Sequence, residues 1–178
     1  MNNVSSFAKK NIMTIASYLE NDHRRLEALL AKSETASGEI DGEVYEEFRQ
    51  GLLSHIGIEE NILFPAAQKA HEGIVIERAA KLRLDHGALA ALLVLTPDKK
   101  VIGAIQAILA PHNIIEEGPP GVYEECEKLL GEDASRVILE KMQHVPPLPL
   151  AHRKQTDALL RAAKRCMERA GFSGSLLD

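Results

Sequence analysis

The feature that most constrains this chain is a pair of acid-bearing histidine units placed where a hydrophobic core belongs. Around His55, the residues Phe48, Leu52, His55, Glu59, Ile62 and Leu63 recur at steps of three and four, the period of one helix face. His55 and Glu59 stand where Leu or Ile would be expected. Burying an imidazole and a carboxylate costs several kcal/mol unless something pairs with them. A second unit follows on the stripe Ile102, Ile105, Leu109, His112 and Glu116. Two more histidines lie on apolar stripes of their own, His23 among Ile12, Ile15, Leu19, Leu26 and Leu30, and His86 among Leu82, Leu89 and Leu93. A single histidine on such a stripe is usually a core residue bonded to a carbonyl. Four on four separate stripes, two with an acid one turn later, point to a metal site inside a helical bundle.

The rest of the chain fits that reading. At 178 residues it is long enough to bury a full core, and one domain is expected over residues 1–178. Its bundle core covers about 10–130 and a C-terminal helical extension covers 131–178. Aromatics make up 4% with no Trp, so the core must come from Leu, Ile, Val and Ala, which favours an all-α fold. Helices are predicted over residues 10–32, 43–70, 74–95 and 98–117, then 122–130 and 131–143. A stiff proline-rich connector at 144–149 leads to a basic helix over 152–170. Asp41 suits an N-cap, Thr96 and Pro97 a helix restart, and Gly73 a helix end. Pro65 predicts a kink one turn beyond Glu59, and Pro111 a bend beside His112. The last helix can lie across the bundle or against a second copy as a homodimer.

No apolar run approaches the roughly 20 residues of a membrane helix, and the first 19 residues do not read as a secretory signal. A net charge of -5 argues against nucleic acid as the main partner. Cys126 and Cys166 make neither a metal cluster nor a disulfide framework, so both are taken as reduced thiols of a cytoplasmic protein.

The two halves repeat each other. Asn21-Asp22-His23 aligns with Leu84-Asp85-His86, and His55-Ile56-Gly57-Ile58-Glu59-Glu60 with His112-Asn113-Ile114-Ile115-Glu116-Glu117. Each half is a helical hairpin giving two histidines and a carboxylate, and two such hairpins packed antiparallel bring four histidines and two acids to one level. Donors of nitrogen and oxygen without thiolate suit iron, with manganese or zinc as substitutes. Glu59 and Glu116 keep to their histidine's face, whereas a five-residue step turns Glu60 and Glu117 about 140° away. These two are expected behind the ligands or in solvent. Asp22 and Asp85 face elsewhere than their neighbouring histidines and read as surface charges, the alternative being a place behind the ligands. Glu27, one turn after His23, is a reserve ligand but reads as an exposed flanking residue, and His71, His144 and His152 lie at helix ends or loops.

These motifs, together with Leu63-Phe64-Pro65 and Pro111-His112-Asn113, resemble the hemerythrin-like, or HHE cation-binding, family over about residues 12–130. The resemblance implies an antiparallel up-down four-helix bundle around a non-haem di-iron centre. It further implies two iron ions held by His23, His55, Glu59, His86, His112 and an acid at Glu116 or Glu117. Oxygen-carrying members place a further histidine one turn after the third-helix ligand, where this chain has Ala90. Their last acid falls five residues after the final histidine, at the position of Glu117. The four-residue step to Glu116 resembles members linked to iron-centre repair and to iron or oxygen sensing. The expectation is a protein that binds a small ligand (oxygen, nitric oxide or peroxide) for sensing or binding. The alternatives are an iron-donating, repairing or detoxifying di-iron enzyme and, last, a metal-free structural bundle. Whether the chain is an enzyme, and which redox partner it uses, stay open.

Overall fold

A computed structural model describes residues 13–178. Among these the only β feature is a single bridge between Glu34 and Ile40. Helix α1, Ile15–Ser33, begins at Thr14, whose side chain accepts from the Ser17 N–H while the Ser17 hydroxyl engages the Thr14 backbone, a reciprocal cap. The predicted start at residue 10 and the stripe residue Ile12 lie outside the described residues. Helix α2, Gly42–Ile58, is capped by Asp41, as its sequence implied.

Beyond α2 the chain passes through a π-helical turn, Glu59–Leu63, into α3, Phe64–Ala70. The Phe64 N–H reaches back to the Glu59 carbonyl. This wide turn lies just before Pro65, which has no N–H and would crowd the carbonyl four residues back in a straight helix. The distortion predicted one turn beyond Glu59 therefore falls at Glu59 itself. Helix α4 is Glu77–Leu92 and α5 is Lys99–Glu117. Asp98, rather than Thr96, caps α5, and the helix runs through Pro111 to Glu117. Helix α6, Val122–Gln143, changes direction at Gly131 (φ +74°), a backbone region that favours glycine, so the expected pair of segments meets there. Helix α7, Asp157–Arg169, starts at its Thr156 cap, five residues later than predicted.

Two apolar clusters fix the helix directions. One holds Ile15 and Leu19 from the start of α1 with Ile58 and Ile62, Leu82 from the first half of α4, and Val122 and Tyr123 of α6. The other holds Leu26 and Leu30 from the end of α1 with Phe48 and Leu52, Leu92 from the end of α4, and Ile102 and Ile105 from the start of α5. Consecutive long helices are thus antiparallel. Between the clusters lies a buried polar layer of His23, His55, Glu59, His86, His112 and Glu116. Ala163 and Met167 of α7 join the second cluster, so the basic helix lies across the bundle on α4. Buried Arg49 anchors the preceding connector, its Nε donating to the Leu93 carbonyl and its Nη2 to the Ala151 carbonyl, both at 2.7 Å. None of the described helices is long and apolar enough to cross a membrane.

Candidate metal centre

The structure brings all six sequence-predicted donors together. His23 comes from α1, His55 from α2, Glu59 from the π turn, His86 from α4, and His112 and Glu116 from α5; each is at most 4% exposed. Both acids reach across the layer. Glu59 Oε1 lies 3.4 Å from His55 Nε2 and its Oε2 3.1 Å from His86 Nε2. Glu116 Oε2 lies 3.3 Å from His23 Nε2 and its Oε1 3.1 Å from His112 Nε2. Two four-residue groups able to hold a metal ion result, His23, His55, Glu59 and Glu116 on one side and His86, His112, Glu59 and Glu116 on the other. They share both carboxylates.

Each histidine turns its other nitrogen to a carboxylate on a different helix. His23 Nδ1 meets Glu117 at 2.6 Å, His55 Nδ1 meets Asp22 at 2.9 Å, His86 Nδ1 meets Glu60 at 2.7 Å and His112 Nδ1 meets Asp85 at 3.4 Å. An acceptor at Nδ1 assigns the neutral ring's proton to that nitrogen and aims the Nε2 lone pair inward. On the solvent side each of these acids pairs with a base: Asp22 with Arg25, Glu60 with Arg83, Asp85 with Lys81 and Glu117 with Arg24. Asp85 is buried and Asp22 only 24% exposed on its side chain, so neither is the free surface charge the sequence suggested. Glu60 and Glu117 sit behind the histidines, as expected. The Asp-His pairs in both halves and the doubled Glu-Glu were the available signal, read one layer too shallow. Glu27 pairs with Arg24 at the surface, and His144 and His152 are exposed, away from the layer. His71, at the end of α3, is half-buried.

The donor set fits a cation. His23 Nε2 and His55 Nε2 are 2.9 Å apart, and two inward lone pairs at that distance repel unless a proton or a metal sits between them. Glu59 Oε2, His86 Nε2 and both Glu116 oxygens are buried with no hydrogen-bond partner, a costly arrangement for polar atoms. Burial alone would raise the Glu59 carboxyl, but the charge and hydrogen bond of His55, then of His86, hold it well below the usual range. Burial likewise works against a charged His55, yet Glu59 and Asp22 raise that ring to about 10. A proton and a metal ion compete for the same Nε2. Burial and the adjacent His55 push His23 the other way, below its ordinary value.

Sequence reasoning missed Tyr123 on α6. Its buried hydroxyl donates to Glu59 Oε1 at 2.5 Å and lies 3.2 Å from His23 Nε2 and 3.3 Å from His55 Nε2. Burial, then the charges of Glu116 and Glu59, raise this phenol well above its ordinary value. The signal for it was slight: a tyrosine next to Val122, just after the break at Gly118-Pro119-Pro120-Gly121, in a chain with few aromatics.

A helical bundle with a buried layer of four histidines and two shared carboxylates defines a metal-binding bundle protein. The Hemerythrin HHE cation binding domain matches residues 14–118, and the chain belongs to that family. Searches among curated proteins and among solved structures gave no match.

Proposed function

We propose that the bundle holds two iron ions and presents them to a small ligand such as oxygen, nitric oxide or peroxide, for sensing or binding in the cytoplasm. The observation that carries this is the reach of Glu59 and Glu116, each of which extends one oxygen toward either histidine pair. His23 and His55 would hold one ion, His86 and His112 the other, and the two acids would bridge them. Iron bound there supplies redox chemistry and an attachment point for the ligand. The chain's own residues orient the rings through Asp22, Glu60, Asp85 and Glu117, and the flanking apolar clusters keep bulk water out. Ala90, one turn past His86, leaves that side one donor short of the oxygen-carrying pattern, which favours an exogenous ligand over dedicated oxygen storage. Manganese or zinc would satisfy the same donors.

The test is metal analysis and an absorption spectrum of the aerobically purified protein, beside His55→Ala and His112→Ala. About two irons per chain are expected in the wild type, with most of the metal lost in each variant. Unchanged metal content in both variants would sink the assignment.

A further inference from the structure

We propose that the phenolic oxygen of Tyr123 is a direct ligand of the ion held by His23 and His55, an inference that rests on the di-iron reading above. Donors about 2.1 Å from one ion stand about 3.0–3.4 Å from one another, for octahedral and tetrahedral corners respectively. The atoms on this side have those spacings. His23 Nε2 to His55 Nε2 is 2.9 Å, His55 Nε2 to Glu59 Oε1 is 3.4 Å and His23 Nε2 to Glu116 Oε2 is 3.3 Å. Tyr123 Oη adds 3.2 Å to His23 and 3.3 Å to His55, which puts it at a corner of the donor set rather than behind it. Its 2.5 Å contact with Glu59 Oε1 is the hydrogen bond that coordination would replace, and that pair would have to open to the spacing of two ligands. The hydroxyl's hydrogen-bond partners, His23, His55 and Glu59, all belong to the six candidate donors.

The opposite side is built differently. There the ring beside His86 is Phe64, stacked with its centroid 6.3 Å away, and it offers no oxygen. Tyr123 lies five residues beyond the family match, on a helix outside the matched hairpins. Coordination exchanges the O–H bond for an O–iron bond, and the proton leaves to solvent. No electron moves in that exchange. A nearby metal charge overrides the burial that otherwise keeps the phenol neutral.

Phenolate bound to ferric iron absorbs visible light by charge transfer, and excitation in that band enhances the tyrosinate ring modes in the Raman spectrum. The experiment loads the full chain anaerobically with ferrous iron, oxidises it with ferricyanide, and records iron content, absorption and resonance Raman spectra. Wild type should bind iron and show tyrosinate modes. Tyr123→Phe should lose the band and the modes while retaining iron. Tyr18→Phe and Tyr45→Phe should keep both. Since the chain has three tyrosines, these two variants assign the modes by elimination even where Tyr123→Phe folds poorly. Iron-loaded wild type without tyrosinate modes, or modes that survive in Tyr123→Phe, would overturn the proposal and leave the di-iron reading standing. A wild type that takes up no iron would overturn both.

Discussion

Asp85 Oδ2 on α4 lies 3.4 Å from His112 Nδ1 on α5, and Asp85 is itself buried with Lys81 paired to its other oxygen. The same relation runs round the bundle. Asp22 on α1 holds His55 of α2, Glu60 after α2 holds His86 of α4, and Glu117 at the end of α5 returns to His23 of α1. Every inward-facing ring is thus oriented by the helix before it in a closed circuit.

Removing one of these orienting acids should weaken metal binding without abolishing it. Asp85→Asn keeps the shape but loses the charge that fixes the ring, and losses of about 10–100-fold in metal affinity are typical for such partners. Competition with a chelator measures it. Affinity equal to wild type in both Asp85→Asn and Asp22→Asn would show that the circuit does not set the rings.

Glu116 and Glu117 should separate cleanly. Glu116 is fully buried with both oxygens lacking hydrogen bonds, whereas Glu117 is 21% exposed and tied to His23 and Arg24. Glu116→Gln should lose far more metal than Glu117→Gln, and the same order should hold for Glu59→Gln over Glu60→Gln. Metal content per chain after dialysis decides the matter; the reverse order on α5 would make Glu117 the ligand.

Ala90 is half-buried one turn past His86. Azide should shift the absorption of the oxidised iron-loaded protein, and Ala90→His should lower azide affinity by filling the position. The added ring costs roughly 1–3 kcal/mol of stability if it is forced into packed space. Identical azide affinity in the two proteins would remove Ala90 from the site.

The two cysteines should react unequally. Burial, then the charges of Glu125 and Glu59, raises the Cys126 thiol from 9.0 to about 12, whereas Cys166 is partly exposed. A thiol that ionises near pH 9 when unfolded and near 12 in the fold leaves its contribution to stability intact below about pH 9, and that contribution is lost as pH rises from about 9 toward about 12. At pH 8 a thiol reagent should therefore modify one cysteine in the native protein and two after denaturation. Rapid modification of both in the native state would contradict the burial of Cys126.

The sequence carried the bundle and the six inward donors because a helix face is legible at steps of three and four, and a polar residue on an apolar face is conspicuous. The acids behind the rings were harder to place. Asp22 adjoins His23 in sequence, yet it serves His55 on the next helix, and adjacency along one helix does not reveal a partner across the bundle. Glu60 is turned toward His86 from the π turn beginning at Glu59, an altered register that the bare spacing hides. Tyr123 depends on how α6 folds back over the end of the bundle, which no local pattern encodes.

The circuit of acids and rings has a pseudo-twofold character. Exchanging the α1–α2 hairpin for α4–α5 carries the Asp22–His55 contact onto Asp85–His112, and Glu60–His86 onto Glu117–His23. Under that exchange alone the two histidine pairs would be equivalent, each with one acid of its own and one borrowed. Tyr123 beside His23 and Phe64 beside His86 break the equivalence. The chain thereby distinguishes a left side, closed by an oxygen, from a right side, closed by a hydrocarbon ring, within a site whose two halves share both of their acids.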